Sequence, residues 1–123
     1  MWLPAHTLIS DETVFLTPSP YTTITLPGDS PSPITVGAYN HLNNSIYIHS
    51  GRGYTIGGLI KPDLAAPGVD IVAARRGGGY EAVTGTSFAA PFVTGSAALL
   101  MQWGILQGND PFLYGEKVKA YFT

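Results

Sequence analysis

Short stretches that alternate polar and apolar residues, or that are rich in β-branched residues, predict strands in the first two thirds of the chain. Residues 22–26 alternate Thr with Ile and Leu, and residues 34–39 (Ile-Thr-Val-Gly-Ala-Tyr) have the composition of a core strand. Three more segments share this character: 45–49, 69–73 and 80–83. The predicted loops between them are rich in Pro, Thr and Ser at 17–33 and in Gly at 51–58 and 76–79.

The last third of the chain is predicted to be helical. Residues 87–103 are nearly all apolar or small and carry no charge, which indicates a helix buried on all sides that ends at Gly104. Asp110 followed by Pro111 has the chemistry of a helix start, so a second helix is predicted over 110–122. Several short strands before a buried helix favour an α/β fold, although this pattern does not establish a parallel sheet.

Composition narrows the possible functions. The chain has 123 residues, enough for one domain, and only 11% of them are charged against about 25% in an average soluble domain. Such a chain either buries much of its surface or belongs to something larger. The net charge of −2 excludes a basic nucleic-acid-binding surface. Cysteine is absent, so there is no disulfide framework and no thiolate zinc site.

Metals, cofactors and membranes are not expected from the sequence. No spacing of His, Asp and Glu suggests a metal site, and no cofactor is predicted. No apolar run approaches the roughly 20 residues that cross a bilayer, so we expect no membrane span. The first residues lack a basic stretch followed by an apolar one and do not resemble a signal peptide.

One segment carries candidate chemistry, residues 85–95, with the sequence Gly-Thr-Ser-Phe-Ala-Ala-Pro-Phe-Val-Thr-Gly. It places Ser87 in the first turn of the predicted buried helix, beside free backbone N–H groups and the positive end of the helix dipole. An oxyanion formed at Ser87 would find hydrogen-bond donors there. Pro91 has no N–H, so the carbonyl of Ser87 loses its helical partner. A lone Ser in this position would be interpreted simply as a helix cap.

The complete segment resembles the nucleophile signature of the subtilisin-like serine proteases, the subtilases. That signature is Gly-Thr-Ser, any residue, Ser or Ala, any residue, Pro, two free positions, a small residue, then Gly or Ala. Residues 85–95 satisfy every constrained position, which happens by chance in roughly one chain of this length in 10⁵. The resemblance implies that Ser87 is the nucleophile, that its backbone N–H forms part of the oxyanion hole, and that Gly85 and Thr86 contact substrate.

The flanking segments are similar to the same family. Residues 61–68 (Lys-Pro-Asp-Leu-Ala-Ala-Pro-Gly) resemble a subtilase segment that precedes a core strand, and we interpret them as a loop. Residues 34–39 resemble the late core strand, and residues 50–53 resemble the family's Ser-x-Gly turn. Pro27 and Gly28 match the loop that lines the pocket for the substrate's P1 side chain. The resemblance covers residues 22–123 and implies a subtilisin-like three-layer fold with a parallel sheet, present only as its C-terminal portion.

Three of the four chemical side chains of a subtilase have no match here. The family's Asp precedes Ser-Gly or Thr-Gly, and no Asp in this chain does. The family's His precedes Gly-Thr or Gly-Ser, whereas His6, His41 and His49 precede Thr, Leu and Ser. The oxyanion Asn would precede residues 34–39, and the first Asn in the chain is Asn40. His49 could in principle approach Ser87, but a surface or structural role is the commoner one for a lone His.

The beginning of the chain departs from the common subtilase pattern. It is similar to the clostridial Csp-type branch, in which a β domain is inserted before the late core strands. The segments that carry this similarity are 2–4, 15–20, 22–27 and 104–117. The resemblance implies that residues 1–20 are the tail of an inserted β region or a linker. Residues 21–123 would then be the C-terminal part of the catalytic domain.

Two functions from different classes remain open. In the first, the chain is the nucleophile-bearing segment of a serine endopeptidase, inactive alone because Asp, His and Asn are missing. In the second, it is a truncated or degenerate subtilase that binds a partner without cleaving it. The implied partners are a peptide or protein substrate and the missing N-terminal portion or another chain. The resemblance implies a secreted, cell-surface or spore-associated protein of a bacterium.

Overall fold

A three-stranded sheet lies at the centre of the computed structural model, which describes residue 10 and residues 12–123. Its strands are β1 (Val36–Asn40), β2 (Ser45–Ile46) and β3 (Leu64–Pro67), in the order β2-β1-β3. The β1–β3 pair is parallel, with Val36 opposite Leu64. The β1–β2 pair is antiparallel, with Tyr39 opposite Ile46. The central strand therefore brings together segments from both sides of the glycine-rich loop.

A separate hairpin follows the sheet and leads into the first helix. Strands β4 (Ile71–Ala74) and β5 (Tyr80–Val83) pair antiparallel, with Ile71 opposite Val83. The tip contains three consecutive glycines with positive φ, Gly77 to Gly79, a conformation that glycine adopts without steric cost. The hairpin thus delivers the chain from the end of β3 to the start of the helix that carries Ser87.

Two α-helices complete the fold. Helix α1 spans Thr86–Met101 and continues as a π-helical segment, Gln102–Leu106. Helix α2 is shorter and spans Glu116–Phe122. Helix α1 packs against β1 and β3, and α2 contacts α1. A parallel strand pair covered by a helix is α/β architecture, which confirms the predicted fold class.

Small side chains form the core between the helix and the sheet. Ala38 of β1, Ala66 of β3 and Ala89 of α1 are buried together with Val93. Alanine at these contacts lets the helix backbone approach the strands closely. Larger side chains pack around the edge of this cluster: Ile34, Val36, Tyr47 and Leu64. The first turns of α1 are therefore fixed directly on the two parallel strands.

Three strand predictions differ from the structure. Residues 22–26 form no strand, although Ile24 is buried there. The predicted strand 45–49 shortens to two residues, whereas 80–83 is found with the predicted bounds. The 61–68 segment, interpreted as a loop, contains β3. The parallel partner β1 stabilises this Ala- and Pro-containing strand, which has weak intrinsic β propensity.

The helix predictions also need correction. Helix α1 is covered on one side only, since Leu99 is 67% exposed and Trp103 43% exposed. Gly104 does not end the helix; it is buried inside the π-helical segment, where the side chain of Leu113 packs against it. The second helix begins at Glu116 rather than Asp110, because residues 110–115 form turns that fold back over the end of α1.

The continuous helical segment Thr86–Leu106 also corrects the expectation about apolar runs. It has 21 residues, and an 18-residue window within it has a mean hydropathy of 1.3, so it has the length and composition of a membrane-spanning helix. Core helices of soluble proteins share both properties, and this helix contacts β1 and β3. The absence of a membrane span stays a prediction.

The proposed division of the chain at residue 20 is only partly visible. Residues 1–9 and 11 of the segment 1–20, which we interpret as the tail of an inserted β region or a linker, lie outside the described residues. The described residues 12–20 contain turns and bends without a strand.

Candidate active site

Gly85 sets the geometry at the start of α1. Its backbone angles, φ 152° and ψ 162°, fall in a region that is essentially restricted to glycine. Its N–H donates to the carbonyl oxygen of Gly68 at 2.7 Å, and its own carbonyl accepts from the N–H of Phe88 at 3.1 Å. The Gly-Thr-Ser sequence therefore begins with a residue whose conformation turns the chain into the helix.

Gly68 is packed where the sheet meets the helix start. A Cβ atom placed on Gly68 would lie 2.6 Å from the Cβ of Ala38 and 3.0 Å from the carbonyl oxygen of Gly85. Both distances are shorter than ordinary contacts between such atoms. The Ala-Pro-Gly sequence at the end of β3 thus lets the loop pass between β1 and α1, close to Ser87.

Ser87 is exposed at the second position of α1. Backbone N–H groups in the first turn have no helical acceptor, so the N–H of Ser87 is available to an oxyanion. Pro91 lies inside the helix and cannot donate to the carbonyl of Ser87. No acidic residue lies in the first turn, so the positive end of the helix dipole is not neutralised there.

Ser87 opens into a cleft of about 670 Å³ that also contains the predicted substrate-binding loop. The predicted site residues Pro27, Gly28, Thr86 and Ser87 line this cleft, while Gly85 lies behind them at the helix start. The remaining lining residues come from two loops, β1 and α1: Pro20, Thr23, Ile24, Thr25, Leu26, Thr35, Val36, Ile48, His49, Ser50, Gly51, Arg52 and Ala90. The structure therefore brings four of the five predicted residues to one concave surface.

Hydrogen bonds hold the Pro27-Gly28 wall of the cleft. The Gly28 N–H donates to the carbonyl of Thr25 at 2.8 Å, which closes a tight turn. The hydroxyl of Thr35 donates to the Gly28 carbonyl at 2.6 Å. Because Thr35 directly precedes β1, this contact ties the wall to the central strand.

The opposite wall is anchored by Ser50 and Thr23. The buried hydroxyl of Ser50 accepts from the N–H of Ala38 in β1 at 3.0 Å. The N–H of Thr23 donates to the carbonyl of Arg52 at 2.9 Å, and the N–H of Arg52 donates to the hydroxyl of Thr23, also at 2.9 Å. Reciprocal bonds of this kind join residues 29 apart in the chain and fix the mouth of the cleft.

A buried ion cluster supports the Pro27-Gly28 wall, because it binds Thr35 and Pro33. Asp63 accepts from the Nζ of Lys61 at 2.7 Å and from the N–H of Thr35 at 2.7 Å, and its second oxygen pairs with the Nζ of Lys119 at 3.0 Å. Lys61 and Lys119 also donate to the carbonyl of Pro33. The cluster thus connects β3, the segment before β1 and helix α2.

The cluster shifts the ionisation of two of its members. Burial alone would raise the pKa of Asp63, but the hydrogen bonds from Lys61, Thr35 and Lys119 outweigh it and lower that pKa below its ordinary value. The hydrogen bond to Asp63 raises the pKa of Lys119, against a smaller opposing effect of burial. Sequence reasoning did not identify this cluster; its signal was the pair of opposite charges in Lys-Pro-Asp at 61–63.

The two histidines that the structure describes lie in different places. His49 shares the cleft with Ser87, and its ring packs edge-on against Tyr47 with 5.3 Å between centroids. His41 lines a separate depression beside Pro67 and Phe92. Over residue 10 and residues 12–123, no group of three or more His, Asp and Glu residues is placed to hold a metal ion.

The family model of the subtilases (Peptidase_S8, "Subtilase family") matches residues 17–121 of this chain. The chain belongs to the subtilase family. The match includes every described residue of the cleft and most of the described fold. Ser87 lies within this match, in the segment that carries the nucleophile signature.

Among solved structures, the chain is similar to the CspB protease of Clostridium perfringens. The two share 50% sequence identity with a TM-score of 0.84, over 89% of this chain and 24% of that one. This match supports the resemblance to the clostridial Csp-type branch. The self-cleaved protease domain of PatA is more distant, at 35% identity and a TM-score of 0.61, over 72% of this chain and 32% of that one.

Curated relatives agree with the structural matches. The serine protease AprX of Bacillus subtilis is 37% identical over 79% of this chain, and subtilisin-like protease 10 of Arthroderma otae is 42% identical over 63% of it. The chain spans about a quarter of the length of AprX and less than a fifth of the fungal protease. It thus corresponds to one portion of a subtilase protease domain.

Proposed function

We propose that this chain is the C-terminal, nucleophile-bearing segment of a serine endopeptidase. The observation that carries the proposal is that Ser87, exposed at the start of α1, faces the same cleft as Pro27 and Gly28. A peptide bound in that cleft would place a carbonyl carbon near the hydroxyl of Ser87 and near free N–H groups of the helix. These are the binding and electrophilic parts of an acyl-transfer site.

The proposed reaction is peptide-bond hydrolysis through an acyl-enzyme. The Oγ of Ser87 forms a bond to the substrate carbonyl carbon, and a base supplied from outside residues 12–123 takes the hydroxyl proton. The C–N bond then breaks, and the same proton passes to the leaving amine. Water then forms a bond to the acyl carbon, its proton passes through the base to the Oγ of Ser87, and the Oγ–C bond breaks to release the carboxylic acid product. Within this chain, the N–H of Ser87 donates to the oxyanion at the addition step.

Binding of the substrate is assigned to four neighbouring residues. Pro27 and Gly28 form the wall beside the substrate's P1 side chain, Thr86 contacts the substrate next to Ser87, and Gly85, which lies behind the cleft, sets the position of both. The turn closed by the Gly28 N–H and the hydrogen bond from Thr35 pre-organise that wall before substrate arrives. A preformed wall lowers the cost of ordering the site on binding.

The chain by itself is proposed to be inactive. No residue matches the family pattern for the Asp, the His or the oxyanion Asn. In subtilisin, removal of triad members lowers kcat by about 10⁴–10⁶. Loss of one oxyanion-hole donor costs about a further 10²–10³ if the effects are independent. The proposed partner is therefore the N-terminal portion of the catalytic domain or another chain that supplies these groups.

Labelling with a fluorophosphonate tests this function, because only a serine with a working base reacts fast with it. The isolated chain should label no faster than its Ser87→Ala variant. Addition of the upstream half of a related subtilase should restore fast labelling at Ser87. Casein or peptide turnover by the pure 123-residue chain, abolished by Ser87→Ala, would overturn the proposed need for a partner. Failure of every complementing half to restore labelling would overturn the endopeptidase proposal.

The alternative is a degenerate subtilase that binds peptides or a protein partner without cleaving them. The observation that favours it is that residues of this chain line the cleft, whereas none of its residues matches the family pattern for the catalytic His or Asp. Under this alternative, complemented chains bind peptides but never label. The resemblance to bacterial proteases supports a secreted, cell-surface or spore-associated location as a further proposal.

A further inference from the structure

The side chain of Arg52 lies at the cleft and has no described ion-pair partner. It lines the cleft that contains Ser87, and its Nε atom is buried without a hydrogen-bond partner. Within the described part of the chain, ion pairs involve Lys61, Lys117 and Lys119, and none involves Arg52. The Nε atom is too buried to meet a ligand, so an acceptor that enters the cleft would be met by the terminal Nη groups of Arg52, for which no hydrogen bond is found among the described residues.

The positive charge of the cleft lining favours a hydrogen-bond acceptor with a negative charge. Among the described residues that line it there is no Asp or Glu, and Arg52 is the one of them with a permanent charge. The other lining residues are apolar or neutral, apart from His49. Arginine presents a planar set of donors that matches the two oxygens of a carboxylate.

The structural role of Arg52 belongs to its backbone rather than to its side chain. Its N–H and carbonyl make the reciprocal bonds to Thr23 that hold the cleft mouth. Any residue other than proline at this position could make both bonds. The bonds at the cleft mouth therefore do not depend on the guanidinium.

We propose that Arg52 is a specificity-determining residue that selects peptides bringing a carboxylate into the Ser87 cleft. The proposal rests on the proposed function in one respect, namely that the cleft binds peptides. The carboxylate can come from an acidic side chain or from the C-terminus of a peptide, and both present the same pair of oxygens. Binding is independent of whether Ser87 reacts.

Peptide binding to the 123-residue chain tests the proposal. Fluorescence anisotropy would compare four labelled peptides of equal length, in which one residue is Glu or Gln and the C-terminus is either free or amidated. The Ser87→Ala chain is used throughout so that no cleavage occurs. A carboxylate-bearing peptide should bind about tenfold tighter than the Gln amide, as expected for a charge-assisted hydrogen bond. The two single-carboxylate peptides show which source the cleft prefers.

Two variants separate specificity from general charge. Arg52→Gln should reduce the affinity for carboxylate peptides to that for the Gln amide and leave the latter unchanged. Arg76→Gln removes an exposed arginine from the β4–β5 tip and should change neither affinity. Circular dichroism and light scattering would check that all variants share one fold and one association state.

Each outcome decides the matter. Equal affinity for all four peptides, or an equal loss for Arg52→Gln and Arg76→Gln, would overturn the role of Arg52. An Arg52→Gln chain that unfolds would show that the side chain is structural and would also overturn it. Carboxylate-selective binding without any labelling of a complemented chain would retain the Arg52 proposal and refute the endopeptidase proposal.

Discussion

The N–H of Gly85 donates to the carbonyl oxygen of Gly68 across 2.7 Å, and the N–H of Gly68 donates in turn to the carbonyl of Tyr39 across 3.0 Å. The end of β1 and the start of α1 are thus joined through two hydrogen bonds and one glycine. Ser87 lies two residues after Gly85. Its position is therefore set by the loop after β3 rather than by the helix alone.

Replacement of Gly68 by alanine is expected to destabilise the chain and displace the helix start. The added Cβ would lie 2.6 Å from the Cβ of Ala38, and neither side chain can rotate away. Overpacking of this kind costs about 1–3 kcal/mol of unfolding free energy. Urea unfolding followed by circular dichroism measures the change, and an unchanged midpoint would show that the loop has room to move.

Replacement of Gly85 by alanine tests the cost of a strained backbone conformation rather than of steric overlap. No atom lies within 3.5 Å of the position a Cβ would take, but the φ of 152° is strained for alanine. The expected cost is about 1–3 kcal/mol. Gly95→Ala is the matched control, because it lies in α1 with open space around it and should stabilise the helix by about 0.5–1 kcal/mol. Equal effects of the two variants would contradict the proposed strain.

The buried ion cluster predicts a specific dependence of stability on pH. The pKa of Asp63 is lowered in the folded chain, so its stabilisation is complete above its ordinary value of 3.8 and is lost as the pH falls through the lower folded value. The pKa of Lys119 is raised, so its stabilisation holds below 10.5 and is lost as the pH rises through the higher folded value. Between these limits the cluster's contribution to urea midpoints, measured from pH 2 to 12, should be constant.

Asp63→Asn should abolish the part of the stability loss at acid pH that comes from protonation of Asp63. It should also lower the unfolding free energy at neutral pH by about 3–5 kcal/mol, because Lys61 would remain buried without a counter-ion. Asp110→Asn is the control, since its partner Lys117 is 48% exposed and surface pairs contribute about 0–1 kcal/mol. A small effect of Asp63→Asn would mean that water already reaches Lys61.

The isolated chain is expected to self-associate through the uncovered side of α1. Leu99 and Trp103 are exposed there, and large exposed apolar surfaces drive association. Leu99→Glu should shift the association seen by light scattering across a dilution series to higher concentration. Gln102→Glu adds the same charge at an exposed position without removing apolar surface, and should shift it less. A clean monomer at tens of micromolar with a cooperative melt would contradict this expectation.

The local patterns predicted those elements whose stability depends on neighbouring residues in the chain. The hairpin strand Tyr80–Val83 has the predicted bounds, and α1 begins within one residue of the prediction. Strand β3 was missed because its pairing with β1 is a long-range contact that no local pattern of Leu, Ala and Pro reveals. The same applies to residues 22–26, whose alternation was right for a strand but which pair with no strand among the described residues.

In the candidate site too, the residues within a local sequence motif were predicted and those that depend on distant residues were not. Ser87 was identified because eleven consecutive residues match a family signature, and Pro27 and Gly28 because a short loop matches. Arg52 and the Asp63 cluster were not identified as parts of the site, since their importance comes from residues about 30 or more positions away. The end of α1 was misplaced because Leu113, folding back on Gly104, stabilises a π-helical continuation that the glycine alone does not predict.

The bond from the Nζ of Lys119 to the carbonyl of Pro31 joins residues 88 positions apart. During synthesis, the wall of the cleft therefore leaves the ribosome long before the helix that anchors it. At about 5–20 residues per second, the delay is roughly 4–18 s. Asp63 is synthesised early in that interval, but Lys119 comes only at its end, so until then the segment around Pro31 lacks this anchor and is available to chaperones and proteases of the cell. The completion of α2 is thus the event that ends this vulnerable period.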